Sequence, residues 1–170
     1  MAKALHGMLM VLLVSLPASA QMSSSYVYLF GGPVVVPKSA YTRWNGDFVH
    51  VGGGGESRLT ERFAVGGEVG VLKPTTNPYA ITAGLASVTP AFHFASKDSR
   101  SRFDPFVGGG LSLLFASGGG VAVHYGGGVN YWLRRRLGLR FEFRHHLWSP
   151  ESGEAVHLVD FRAGVVFGTH

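Results

Sequence analysis

The residues with the greatest capacity for chemistry lie in one stretch near the C-terminus, "RHHLWSPESGE", Arg144 to Glu154, with His157 just beyond. Histidine, serine and glutamate are the ingredients of a hydrolytic triad, in which an imidazole takes the proton of a serine hydroxyl and a carboxylate orients the ring. Spacing decides whether they can meet. Two residues separate His146 from Ser149, and in an extended chain that puts them on opposite faces. The simpler reading is a polar loop at the end of a strand. His93 and His124 are candidate interior histidines. No His/Asp/Glu spacing shows the convergence a metal centre needs, and no cysteine is present for a thiolate site or a disulfide frame. No cofactor or metal is expected.

Two other patterns invite a ligand and fail on detail. Arg134-Arg135-Arg136, with a net charge of +5, suggests nucleic acid, but no aromatic platform or repeat accompanies it. A solvated turn accounts for it better. The 25 glycines come in runs, such as Gly52 to Gly55 and Gly126 to Gly128. None forms a G-x-G-x-x-G spacing and none precedes a lysine, so phosphate loops are excluded. Glycines inside alternating segments instead permit sharp coiling or a close-packed interior.

The element that must position the densest charges is "LGLRFEFRHHLW", Leu137 to Trp148. A helix would scatter its charges around the circumference. A strand sends Arg140, Glu142 and Arg144 to one face and Leu139, Phe141 and Phe143 to the other. The same period of two recurs in segments near 24–36, 43–55, 60–72, 79–95, 102–116, 119–133 and 155–167. With Leu137 to Trp148 this predicts eight strands. Short basic turns follow the even strands, at 56–59, 96–101 and 134–136. Links at 37–42, 73–78, 117–118 and 147–154 follow the odd ones and are mostly richer in Pro, Ser, Gly or Asn. Meandering strands with two sets of connections read as an up-and-down barrel.

The chain opens with Lys3, an apolar stretch from Met8 to Leu16, Pro17 and then Ala18-Ser19-Ala20. That is the pattern of an export signal, too short to span a bilayer as a helix. Residues 1–20 are therefore expected to be a cleaved signal peptide, and residues 21–170 one barrel domain.

Which face of the sheet meets water is settled by bulk and sign. Sorted by parity, the apolar face carries Phe63, Val65, Val69, Phe141, Phe143, Phe161 and Val165. The other face carries Arg62, Glu68, Arg140, Glu142, Arg144, Asp160 and Arg162 among small residues. Eight strands leave little internal room, so small residues suit the inside and bulky ones the outside. Mixed signs suit a paired internal network, since an unpartnered buried charge costs several kcal/mol. The ionic face is thus expected inside and the apolar face in lipid, where closure satisfies every backbone polar group. Trp44, Trp132, Trp148, Tyr26, Tyr79 and Tyr131 are expected to form aromatic girdles at the strand ends.

These residues resemble the small bacterial outer-membrane barrels of the OmpA/OmpX type. The matching pieces are "FDPFVGGGLS", "GGGVNYWLRRRLGLRFEFRHH", "RLTERFAVGGEVGV" and the closing "VDFRAGVVF". The resemblance implies an all-β, eight-stranded antiparallel transmembrane barrel in the outer membrane. It also implies a terminal strand, ending here at Phe167, that the barrel assembly machinery reads. Gly168-Thr169-His170 depart from that pattern by following the terminal aromatic. No peptidoglycan-binding domain follows in the sequence, so a wall-anchoring role does not carry over. Some barrels of this size are lipid A deacylases with a His-x-Ser-Asn motif, which the His146–Ser149 spacing does not match.

The expected function is structural or surface-interacting, without catalysis or an open pore, in a monomer that does not bind nucleic acid. The rival readings are a lipid A-modifying enzyme and a soluble periplasmic barrel for an apolar ligand. Lys38, Arg43 and Lys73 are expected at the outward rim as contacts for lipopolysaccharide phosphates.

Overall fold

Alternation at every second residue, with glycine keeping helix propensity low, yields strands and nothing else in the described chain. A computed structural model describes residues 25–37, 46–75, 79–96, 101–115, 119–149 and 155–169. The strands are β1 (Ser25–Val36), β2 (Gly46–Arg58), β3 (Phe63–Pro74), β4 (Ala83–His93), β5 (Phe103–Phe115), β6 (Gly120–Arg134), β7 (Leu137–Trp148) and β8 (Val156–Gly168). Each pairs antiparallel with its sequence neighbour, and β1 pairs with β8 to close the barrel. Closure leaves no edge strand. At about 3.3 Å per residue and a tilt near 40°, such strands rise roughly 30 Å, enough to cross a membrane's apolar band.

The two ends differ. The terminal end holds the start of β1, the end of β8 and the turns after β2, β4 and β6. The far end holds the other four connections. At the terminal end β2 runs farther than its sequence suggests. Glu56 and Arg58 continue its alternation into the barrel, and the turn occupies Leu59 to Arg62. Thr60 shapes that turn, its Oγ1 accepting from the Phe63 amide at 3.0 Å while the Leu59 amide donates to the Phe63 carbonyl at 2.8 Å. The β6–β7 turn is tight, and a bulge between Trp132 and Arg134 bends the ladder before it.

The faces divide as their chemistry demands. Phe141 and Phe161 are each 49% exposed on the outer wall, while Arg140 and Glu142 are 4% and 8% exposed within. A soluble barrel would show the reverse. Val27, Leu29, Val69, Leu111, Val123, Val165 and Phe167 join the outer wall.

Two expectations about the inside need correction. Tyr26, Trp132 and Trp148 are not girdle residues. Tyr26 and Trp148 are buried inside, and Trp132 packs edge-on against Tyr26 with ring centroids 6.0 Å apart. They share the inward parity of their strands, so register outranks their nearness to a strand end. Tyr131 does face out, beside Phe103, and Tyr79 is exposed. Trp44 lies outside the described residues. The outward aromatic cluster at the terminal end is instead Phe63, Phe92 and Phe94, in edge-to-face contact.

Nor is the interior uniformly small and ionic. At the far end Val34, Val36, Phe48, Leu72, Leu85, Leu114, Trp148, Val156 and Leu158 form an apolar plug. Pattern alone cannot separate these from lipid-facing residues, because both are apolar. β1 illustrates it: Tyr26, Tyr28 and Phe30 point in while Val27 and Leu29 point out.

Candidate functional site

The middle of the barrel is organised around β7. Its three ionic residues lie between small or complementary partners on both flanking strands. Arg140 sits between Asn130 and Gly164, Glu142 between Gly128 and Arg162, and Arg144 between Gly126 and Asp160. A Cβ at Gly126 or Gly128 would overlap the β7 backbone. The glycines therefore let the strands approach while freeing the volume that the long side chains fill.

Glu142 is the hub. It accepts from Arg140 Nε at 3.0 Å, from Arg144 Nε and Nη2 at 3.0 and 2.6 Å, and faces Arg162 Nη2 at 2.8 Å. Glu68 accepts from Arg144 Nη1 at 2.6 Å, Arg162 Nη1 at 2.8 Å and the Tyr28 hydroxyl at 3.1 Å. Asp160 lies 3.8 Å from Arg162 Nε and 2.7 Å from His50 Nδ1. The Arg140 guanidinium also stacks over the Phe106 ring at 4.0 Å, and that of Arg162 over Phe30 at 4.4 Å.

A second cluster fills the terminal end. Arg58 donates from Nη2 to Asp104 at 2.5 Å and from Nη1 to the Ala95 carbonyl at 2.8 Å. The His93 ring and the Asn130 amide complete it. His93 faces Asp104 through Nδ1 at 3.0 Å and Glu56 through Nε2 at 2.5 Å, so carboxylate oxygens meet both its nitrogens. An imidazolium, with two N–H donors, satisfies that arrangement. Tyr26 donates to Glu56, and Arg140 Nη1 donates to Asn130 Oδ1 at 3.2 Å. Four arginines thus face five carboxylates among the buried residues described, with His93 placed to balance the charge.

Of the residues expected inside, Glu68, Arg140, Glu142, Arg144, Asp160 and Arg162 converge in this interior. Arg62 does not. It lies exposed in the β2–β3 turn, its carbonyl accepting from the His93 amide at 2.8 Å. Its parity is right, but β3 begins only at Phe63, and alternation carries no meaning beyond the strand. Arg58 takes the interior place instead. Lys73 is exposed at the far end of β3, and Lys38 and Arg43 lie outside the described residues.

Sequence reasoning missed Tyr26, Tyr28, Glu56, Arg58, His50, Asp104 and the pair Ser87–Ser112, while the parity of β6 did put Asn130 on the inner face. Asp104 had a signal, since it alternates with Phe103 and Pro105. Glu56 and Arg58 were hidden by reading the turn too early. His124 Nδ1 and His146 Nδ1 meet Ser112 Oγ at 2.8 and 3.2 Å, and Ser87 Oγ lies 2.8 Å from Ser112 Oγ. This serine–histidine grouping is sealed inside the barrel. Ser149 is exposed just past β7 while His146 is buried within, so the two do not assemble a lipid-facing hydrolytic pair. An enclosed void of about 10 Å³ beside Tyr28, Glu56, Phe106 and Arg140 has room for one water.

No family model matches the chain, and no curated protein matches it in sequence. Solved structures match it in shape. Neisserial surface protein A superposes with a TM-score of 0.71 at 16% identity, covering 86% of this chain and 99% of that one. The N-terminal barrel domain of Pseudomonas aeruginosa OprF gives 0.59 at 18% identity, covering 85% and 96%. Ail, the attachment invasion locus protein of Yersinia pestis, gives 0.52 at 12% identity, covering 88% and 99%. The chain therefore has the fold of the small eight-stranded outer-membrane barrels.

Proposed function

We propose that this chain is an exported bacterial outer-membrane protein with a structural and surface-interacting role, monomeric and without catalysis or an open pore. The observation that carries the reading is the inversion of the barrel: a charge-balanced, filled interior inside an apolar wall. A filled interior suits a scaffold that presents its connections rather than a channel. The names of two similar structures, a surface protein and an attachment locus protein, favour the same role.

In this reading the far end faces outward and the terminal end faces the periplasm. Phe167, exposed on the outer wall beside Leu137 and Val27, is the aromatic that the assembly machinery engages. Lys73, with Lys38 and Arg43, meets lipopolysaccharide phosphates at the outward rim.

Membrane fractionation tests the reading together with heat-modifiable gel migration of the refolded protein and planar-bilayer recording. Recovery in the outer membrane, a compact unboiled form and no stepwise conductance are expected. Recovery in the soluble periplasm would overturn it. So would loss of an acyl chain from lipid A in cells making the protein, measured by mass spectrometry, because that outcome identifies an enzyme.

A further inference from the structure

The outer wall is built of Val, Leu, Phe, Gly, Ala and Pro, and most of its polar side chains lie within two residues of a strand end. Tyr125 on β6 and His145 on β7, like Tyr131, break that rule. They are cross-strand partners, and with His157 on β8 they form a row across three strands. The Tyr125 hydroxyl lies 2.7 Å from His145 Nδ1, and His145 Nε2 lies 3.1 Å from His157 Nδ1. The two imidazoles stack at 5.2 Å with 19° between their planes. Ionisable side chains facing lipid are costly, and their presence marks function more often than packing.

Position and surroundings say what kind. His145 is three residues from the far end of β7, roughly 8 Å along the barrel axis for a tilted strand. That is where headgroups give way to acyl chains. One outward position nearer the midplane, a groove of about 550 Å³ opens in the wall. Gly31, Gly127, Ala163, Phe141, Phe143 and Phe161 are among the residues that line it. Gly127 and Phe143 are the ladder pair next to Tyr125 and His145 on that face, so the polar row and the groove are continuous.

We propose that this wall holds one phosphorylated glycolipid of the outer leaflet, its phosphate on the histidine row and an acyl chain in the groove. The inference rests on the outward orientation proposed above. In the tautomers this proposal requires, Tyr125 O–H donates to His145 Nδ1, His145 Nε2–H donates to His157 Nδ1, and His157 Nε2–H is left for the phosphate. The charge on the phosphate makes that contact charge-assisted. An amphiphile lying along the barrel axis matches both halves of the site, which a globular partner would not.

The test is native mass spectrometry of the full refolded chain in detergent. The probes are bis-phosphorylated lipid A, the same lipid dephosphorylated, and phosphatidic acid. A one-lipid adduct is expected with lipid A. Its apparent affinity should fall roughly tenfold or more in the His145→Leu/His157→Leu double variant, the worth of about one charge-assisted hydrogen bond. Dephosphorylated lipid A should lose a similar factor on the unaltered chain. Ala163→Phe, which fills the groove, should weaken the adduct while leaving the polar row in place. Heat-modifiable migration confirms that each variant is folded.

Equal binding by the unaltered chain and the double variant would overturn the proposal. Equal binding of phosphatidic acid would overturn its commitment to a glycolipid. A two-chain species lost in the double variant, with no lipid adduct on the unaltered chain, would make the row a contact between copies and overturn it too. In each case a heat-modifiable, membrane-inserted chain leaves the barrel reading standing, so the two can fail separately.

Discussion

At the level of Glu142 the barrel is filled by three guanidinium groups, two glutamates and the tyrosine hydroxyl beside them. A few residues farther along the same strands, around Trp148 and Leu158, it is filled by hydrocarbon. Both fillings hang from one backbone pattern, yet they hold the barrel in different ways. The apolar plug tolerates substitutes of similar volume. The ionic layer does not, because each charge relies on specific neighbours across several strands. Glu68 on β3, Arg144 on β7 and Arg162 on β8 are tied by one carboxylate oxygen. A slip of one residue in any of those strands would turn its charge out into lipid. The ionic layer therefore fixes register, and the plug contributes burial and seals the far end.

The sharpest way to break this comparison is Glu142→Leu. It leaves Arg140, Arg144 and Arg162 facing one another without their common acceptor. Removing one partner of a buried pair costs about 3–5 kcal/mol, and here three pairs lose theirs. Urea titration of refolded protein should show a loss at or above that range, or no folded form on an unboiled gel. Adding Arg162→Leu to Glu142→Leu should recover part of the loss, since one stranded charge is removed, and a double-mutant cycle reads that coupling. Leu158→Ala in the plug should cost about 2–3 kcal/mol through lost transfer energy and a residual cavity. If Leu158→Ala proved the more damaging change, the distinction between the two layers would fail.

How much of this could be read in advance differs between the same two regions. The ionic layer was legible in β7 and β8 because charges alternating with phenylalanines leave one assignment of faces. The plug was not. In "YVYLFGGPVVV" of β1 both parities are apolar, so only the closed register shows that Tyr28 and Val34 point in and Leu29 and Val35 out. Trp148 was misplaced for a related reason: nearness to a strand end suggested a girdle, while parity put the ring inside. The row of Tyr125, His145 and His157 needed the pairing of three strands, which no single segment contains.

The smallest expected effect isolates position from charge type, using two arginines four residues apart on either side of one turn. Arg58 still belongs to β2, points inward and holds Asp104 as well as the Ala95 and Glu61 carbonyls. Arg58→Ala should cost about 1.5–3 kcal/mol, the range for hydrogen bonds to a charged group, because His93 and Asn130 still hold Asp104. Arg62 has the parity of an interior residue but sits one step before β3 begins, with its side chain exposed. Its contacts in the turn are through its backbone, the carbonyl and an amide that donates to Thr60 Oγ1 at 3.4 Å, which alanine keeps, so Arg62→Ala should change stability by no more than about 0.5 kcal/mol. Measured side by side in the same urea titration, the pair separates the two explanations. Equal losses would mean that Arg62 reaches the interior after all and that the alternation of β3 extends through the turn. A large loss confined to Arg58 means that alternation stops where the ladder stops, so a charge is interior only where its strand is paired.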